Sequence, residues 1–434
     1  MHISDYKIPF YVVGISVLTP WIANIFISKE LTYLPIAVAV LFMFISKSFL
    51  KNVSVAKSDL LIFFLVIVHV LFSMATGRGV GSGGTLIIFF YSYIFFYAMK
   101  QQSLNITASD ILKLTMLVYL IHMLAIFIEL CVSLLGYQYL LIDLGGGKLI
   151  VNSYKSYNHA DFIHFLGFEN VKGLASLLLG SQSASQLVVI GAFLFAPLYF
   201  IKKYRSTKSF LFALFLIPFT STQTSLLIIF MLLIYSIYIS QCSRIGTKKM
   251  MLLIVLISVP LSIPLYNLIF YKLTNSRQFD HYVLSFMEPV FRFNSLPITD
   301  QIMGEGSRGR AFLEKYGGAG SDFGLMTLIN QTGVYLMGLS FFLLAAITIK
   351  SNMLVRKFHK LYGYYSLWCT LAAVNVTCML GWYMSLIHYT TAVEVGGREI
   401  FALHIAISAV SINKLTAFIR IDNRSLGRKK NAYQ

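Results

Sequence analysis

The sequence predicts an all-α, polytopic membrane helical bundle of about twelve transmembrane helices, with both termini cytoplasmic. Three observations predict it. Of 434 residues, 57% are hydrophobic and 12% charged, against roughly 25% charged in an average soluble domain. Mean hydropathy is +0.74, and continuous apolar runs recur at about twenty residues, enough to cross a hydrocarbon core as helices. Lys and Arg fall unevenly between alternate connecting segments. A β-barrel would alternate apolar and polar residues; these runs are continuous.

The spans fall near 9–28, 31–46, 60–76, 84–99, 112–136, 182–201, 209–220, 222–240, 250–271, 323–349, 363–387 and 399–418. The start, Met1 to Lys7, has little basic n-region, and the first apolar run carries Pro20 and Trp21 without a small-residue cleavage site. The first helix is therefore expected to stay. Placing the N-terminus inside puts 23 of the 35 basic residues in the segments 1–8, 47–59, 100–113, 202–208, 241–249, 350–362 and 414–434. Acidic residues are biased the other way. The net charge of +18 is thus a consequence of topology, and nucleic acid is not an expected partner.

Cys131, Cys242, Cys369 and Cys378 lie in or beside spans, offering neither a disulfide framework nor a zinc spacing. No soluble stretch is long enough for a second domain and no internal repeat is visible. Residues 1–434 read as one transmembrane domain with two large outer loops, at about 137–180 and 272–322.

The second loop holds Lys272, Arg277, Arg292, Arg308, Arg310 and Lys315 with Asp280, Glu288, Asp300, Glu305, Glu314 and Asp322. Short outer loops usually shed arginine, so four here point to a bound anion, and guanidinium is the preferred bidentate partner of phosphate. The plain alternative is a solvated loop whose charges pair with one another. Gly304-Glu305-Gly306-Ser307-Arg308-Gly309 formally matches a dinucleotide fingerprint, but no strand–helix unit surrounds it. It reads as a tight turn, either presenting amides to an anion or merely flexible. Gly77-Arg78-Gly79-Val80-Gly81, joining the third and fourth spans, reads as a short hairpin turn in preference to a phosphate cradle.

The first loop carries Asn158, His159, Asp161 and His164, without the helix signals that would fix metal ligands on one face; no metal and no cofactor are expected. Tyr137, Tyr139, Tyr154 and Tyr157 with Asp143 and Glu169 suit a sugar site, and equally suit interfacial anchoring of helix ends. Within the spans, His122 and Glu129 share one face of the fifth, with His69 of the third a possible neighbour. They read either as a structural hydrogen-bonded pair or, with His69, as a proton relay in a transporter.

The whole plan, twelve spans with one loop before the sixth and a larger one before the tenth, resembles the O-antigen polymerase and ligase superfamily of integral-membrane glycosyltransferases. Two local features carry the likeness. Thr220-Ser221-Thr222-Gln223-Thr224-Ser225-Leu226 is similar to the family's Ser/Thr-rich turn before an apolar helix, with Gln223 where Arg is often found. Gly304 to Gly338 resembles the family's Gly-x-Gly, then a polar pair, then a Leu-rich helix with paired glycines. Ligases carry a His-Asn-type pair opening that helix; here it is Ser321-Asp322, followed by Leu325 and Gly333, which favours polymerase.

The resemblance implies glycosyl transfer between undecaprenyl-diphosphate-linked oligosaccharides at the periplasmic face of the bacterial inner membrane, without metal. Developing charge on the leaving diphosphate needs positioned cations, for which Arg292, Arg308 and Arg398 stand first, with Arg277 and Arg310 in reserve. The acceptor hydroxyl needs a base or positioning acceptor. Asp322 is first choice and Glu305 second, and an N-cap is the plain role for Asp322. Membrane lipid and a chain-length-regulating co-polymerase are the implied partners. The alternatives are an O-antigen ligase acting on lipid A-core and a lipid-linked oligosaccharide flippase or other transporter. A flippase would line its spans with cations, and those interiors hold almost none.

Overall fold

The computed structural model describes residues 57–78, 107–134, 141–143, 148–150, 181–200, 207–220, 252, 287–306, 323–387 and 397–432. Their long helices are α1 (Lys57–Ala75), α2 (Ala108–Leu134), α3 (Ser181–Phe200), α4 (Thr207–Thr220), α6 (Gly324–Tyr362), α7 (Leu367–Met384) and α8 (Gly397–Ala432). A short α5 (Ile298–Met303) follows a helical stretch at 287–295. One small hairpin, β1 (Leu141–Asp143) against β2 (Lys148–Ile150), pairs antiparallel with Ile142 opposite Leu149. That hairpin is the exception to the all-α expectation, and it brackets the sequence Leu144-Gly145-Gly146-Gly147.

Among the described residues, four helices are long and apolar enough to cross a membrane, at Ala108–Ile128, Gly324–Tyr362, Leu367–Met384 and Ile400–Ile421. Shorter apolar helices cover Phe64–Ala75, Ala184–Phe195 and Lys208–Ile217. These helices overlap the third, fifth, sixth, seventh, tenth, eleventh and twelfth expected spans, four of them at spanning length. Those expected at 9–28, 31–46, 84–99 and 222–240 lie outside the described residues, as does 250–271 apart from Leu252.

The helices run beyond the apolar stretches that defined them. Lys350 to Tyr362, expected as a connecting segment, continues α6, and α8 continues through the basic tail to Ala432. The reason is local: 350–362 has neither Gly nor Pro, and Lys, Arg and Met are good helix formers. α6 stops at Gly363, whose N–H bonds back to His359 O at 2.8 Å, and α7 starts at Ser366, whose Oγ accepts from Cys369 N at 3.3 Å. α2 opens with a reciprocal cap, Thr107 Oγ1 donating to Asp110 Oδ2 (2.8 Å) and accepting from Asp110 N (3.1 Å).

α7 is apolar on all sides and is buried accordingly between α3, α6 and α8. α2 and α4 complete the packing around α3, and Tyr119, Phe193, Phe195 and Trp382 fill the centre. α1 meets α6 through Val66 and Leu336. α6 would span about 58 Å if straight, but it is broken: Gly333 has φ 77° and ψ 161°, separating Gly324–Thr332 from the long segment after it.

Candidate functional site

A helix broken within apolar surroundings leaves carbonyls that the next turn would have bonded, and each must find a donor. Here the donors come from the outer-loop segment and from α1. Glu305 N donates to Asn330 O (2.8 Å) and Gly306 N to Gln331 O (3.0 Å). Thr332 O receives His69 Nε2 of α1 at 3.1 Å, and the same nitrogen lies 3.0 Å from Met303 O. A ring nitrogen facing two carbonyls must carry a proton, so Nε2 of His69 is the donor. Asn330 Nδ2 donates to Pro289 O at 2.9 Å, tying the half-helix back to 287–295. The Gly-Glu-Gly turn is therefore neither a dinucleotide fingerprint nor a slack loop; it caps the broken helix.

Two ion pairs stand on this joint. Arg292 clasps Glu305 side-on, Nε to Oε1 at 3.2 Å and Nη2 to Oε2 at 2.7 Å. The Glu305 side chain is 4% exposed and that of Arg292 32%. Arg78, just past α1, reaches Asp300 in the first turn of α5 with Nη2 to Oδ1 at 2.5 Å, and its guanidinium lies 5.2 Å from the Phe72 ring centroid. Of the two readings of the second loop's charges, mutual pairing is the arrangement Arg292 and Glu305 adopt, while Asp300 pairs with Arg78 from outside that loop. Glu305 holds a guanidinium with both oxygens, which makes it an orienting group in this geometry. Arg292 keeps a partly exposed cation at the surface of the joint.

The other sequence-derived candidates are placed less fully. Asp322, Arg308, Arg310 and Arg277 lie outside the described residues, as do Asn158, His159, Asp161 and His164. α6 begins at Gly324 with Phe323 as its cap residue and no side-chain capping bond. Arg398 falls in the first turn of α8. His122 is buried, and neither ring nitrogen has a hydrogen-bond partner among the described residues. His69 is committed to the joint, not to His122. No group of three or more potential metal ligands occurs among the described residues, and Cys131, Cys369 and Cys378 form no disulfide among them.

A second polar assembly sits in the bundle centre. Trp382 Nε1 donates to Tyr119 Oη (3.2 Å), Tyr119 Oη lies 2.7 Å from His404 Nε2, and His404 Nδ1 lies 2.8 Å from Asn375 Oδ1. Asn375 Nδ2 donates to Leu371 O at 2.8 Å. That last bond fixes the amide, so Oδ1 takes the proton of His404 Nδ1 and Nε2 accepts from the tyrosine. Every donor along the chain has one acceptor and all four side chains are fully buried. A saturated, one-directional chain ties α2, α7 and α8 together and offers no open station to a travelling proton.

Sequence reasoning reads Arg78 only as part of a turn and does not single out Asp300, Asn330, Tyr119, Asn375 or His404 as site residues. His404 has one available signal, an ionisable residue in the middle of an apolar span. Compared with protein-family models, curated proteins and solved structures, the chain matches none. The fold and its apolar helices define a multi-pass helical membrane protein. Among the described residues, its two ion pairs stand at one joint between a broken helix and an adjoining loop.

Proposed function

We propose that the chain is an O-antigen or other surface-polysaccharide polymerase. It would be a metal-independent membrane glycosyltransferase joining undecaprenyl-diphosphate-linked repeat units at the periplasmic face of the inner membrane. The carrying observation is the joint itself: Gly304–Gly306 seated on the break at Gly333, with Arg292 oriented by Glu305 beside it. Seven of the twelve expected spans correspond to apolar helices, and the positive-inside bias supports cytoplasmic termini and, with them, a periplasmic joint.

In this reading the reducing-end sugar of the growing glycan leaves its diphosphate and bonds to a hydroxyl of the incoming repeat unit, whose proton passes to a base. Arg292, with Arg308 and Arg398 and then Arg277 and Arg310, meets the charge developing on the diphosphate. Asp322 is the base; Glu305, already clasped, serves to aim Arg292. A rigid cap matters because cations stabilise a leaving group only when they are in place before charge develops.

The test is the lipopolysaccharide banding pattern of a deletion strain complemented with wild type, with Arg308→Ala and with Arg292→Ala. Loss of the ladder with a core-plus-one-unit band retained supports polymerisation. Loss of every O-antigen-bearing band would transfer the assignment to ligase or flippase. An unchanged ladder removes the chain from O-antigen assembly and directs the same test to capsule and other surface glycans.

A further inference from the structure

We infer that His69 is a positioning residue for the outer-face chemistry, acting from α1 through the two backbone carbonyls it bridges; the inference rests on the polymerase reading above. Met303 O closes α5 immediately before Gly304, and Thr332 O ends the half-helix immediately before Gly333. These carbonyls belong to segments 29 residues apart in the chain, and one N–H holds both. Met303 and Thr332 also flank the two backbone bonds by which Glu305 and Gly306 cap the break. Releasing His69 therefore loosens both the start of the capped turn and the end of the half-helix it caps and, through Glu305, unseats Arg292.

The ring is itself held for this task. It is 1% exposed, and it lies parallel to Tyr335 of α6 at 6.0 Å between centroids. Tyr335 in turn donates to Leu65 O of α1 at 3.3 Å. The imidazole thus enters from a neighbouring helix at the level of the break, with its distal nitrogen as the working atom. A proton relay would need that nitrogen to exchange its proton with a titratable partner; two carbonyls only accept.

The geometry makes a specific demand that separates positioning from bulk. Gln places an amide N–H near the position of Nε2, whereas Asn reaches only the position of Nδ1, and Phe fills the volume with no donor. The experiment introduces His69→Gln, His69→Asn and His69→Phe into a tagged chain at matched membrane abundance. Two readouts are taken: polymer ladder length in the deletion strain, and maleimide labelling of Leu296→Cys in detergent-purified protein, located by mass spectrometry. Leu296 is 8% exposed in the outer segment, so a seated segment shields a cysteine there.

The expected result is a tenfold or greater loss of polymer and at least fivefold faster labelling for Asn and Phe. Gln should retain at least a third of the polymer and near-wild-type labelling. Gln no better than Phe in both readouts, or wild-type labelling in all three, overturns the clamp. Faster labelling with an unchanged ladder overturns the positioning role and leaves the polymerase reading standing. A deletion strain whose surface glycans are all normal overturns the polymerase reading itself and the positioning role with it.

Discussion

Gly304 and Gly333 sit where two backbone segments press so closely together that a side chain on either would enter the backbone of the opposite segment. A Cβ on Gly304 would fall 2.6 Å from Gly333 N and overlap Gln331 O; one on Gly333 would lie 2.5 Å from Met303 C and overlap Ile302 O. Both residues also have positive φ, 86° and 77°, which an L side chain resists. The paired glycines are what allow a loop to be pressed into a broken helix.

Gly333→Ala and Gly304→Ala should each destabilise the protein by about 3 kcal/mol or more, since backbone strain and overlap combine. Gly338 lies in the same helix, and a methyl group there would meet nothing within 4 Å. At that position Gly→Ala should be neutral or stabilising by up to about 1 kcal/mol through helix propensity. Thermal unfolding of the three variants in detergent checks this, and a Gly338→Ala loss equal to the others would refute the close-approach account.

Arg292→Ala strands the Glu305 side chain, which is 4% exposed. Removing one partner of a buried pair costs about 3–5 kcal/mol; about 1–3 kcal/mol is expected here because the Arg292 side chain is a third exposed. Glu305→Gln should be milder than Arg292→Ala, since no charge is left buried. Arg292→Lys should recover little, because a point charge cannot reproduce the two-nitrogen clasp. Denaturation midpoints of the three variants give the ordering, and a Lys variant equal to wild type would show that the fork is dispensable.

Arg78 and Asp300 join α1 to α5 across more than two hundred residues of sequence. Arg78→Asp or Asp300→Arg alone brings like charges together and should cost about 1–3 kcal/mol, whereas the double reversal should return at least half of the loss. A double variant as unstable as the sum of the singles would mean that the pair contributes no coupling.

Tyr119→Phe deletes the hydroxyl between Trp382 and His404. The expected loss is about 1–2 kcal/mol, in the range of interhelical hydrogen bonds in membranes. On the polymerase proposal, surface-polysaccharide output should be unchanged at matched membrane abundance, because the hydrogen-bonded chain is structural. An intact fold with abolished output would instead place Tyr119 and His404 in the working machinery.

Local features are legible in the residue order because they depend on near neighbours. Apolar runs of span length and the bias of Lys and Arg determined the membrane class. The ends of α1, α2, α3 and α4 fall within a few residues of the expected spans, since caps and apolar limits are sequence-local. Gly304, Glu305, Gly306 and Gly333 are visible as a pattern, though not as two halves of one contact. Helix continuation through Lys350–Tyr362 escapes a hydropathy reading, because charge ends a membrane span without ending a helix.

Tertiary structure alone decided the partners. Nothing in the spacing of residues sends His69 to Met303 and Thr332, Arg78 to Asp300, or Tyr119 to His404, because those meetings depend on which helices pack together and at what depth. The physical reason is the broken backbone: once the helix opens at Gly333, the freed carbonyls must be satisfied, and the packing determines which donors arrive. Sequence named the helices and the residues capable of chemistry; packing selected the few that stand at the break.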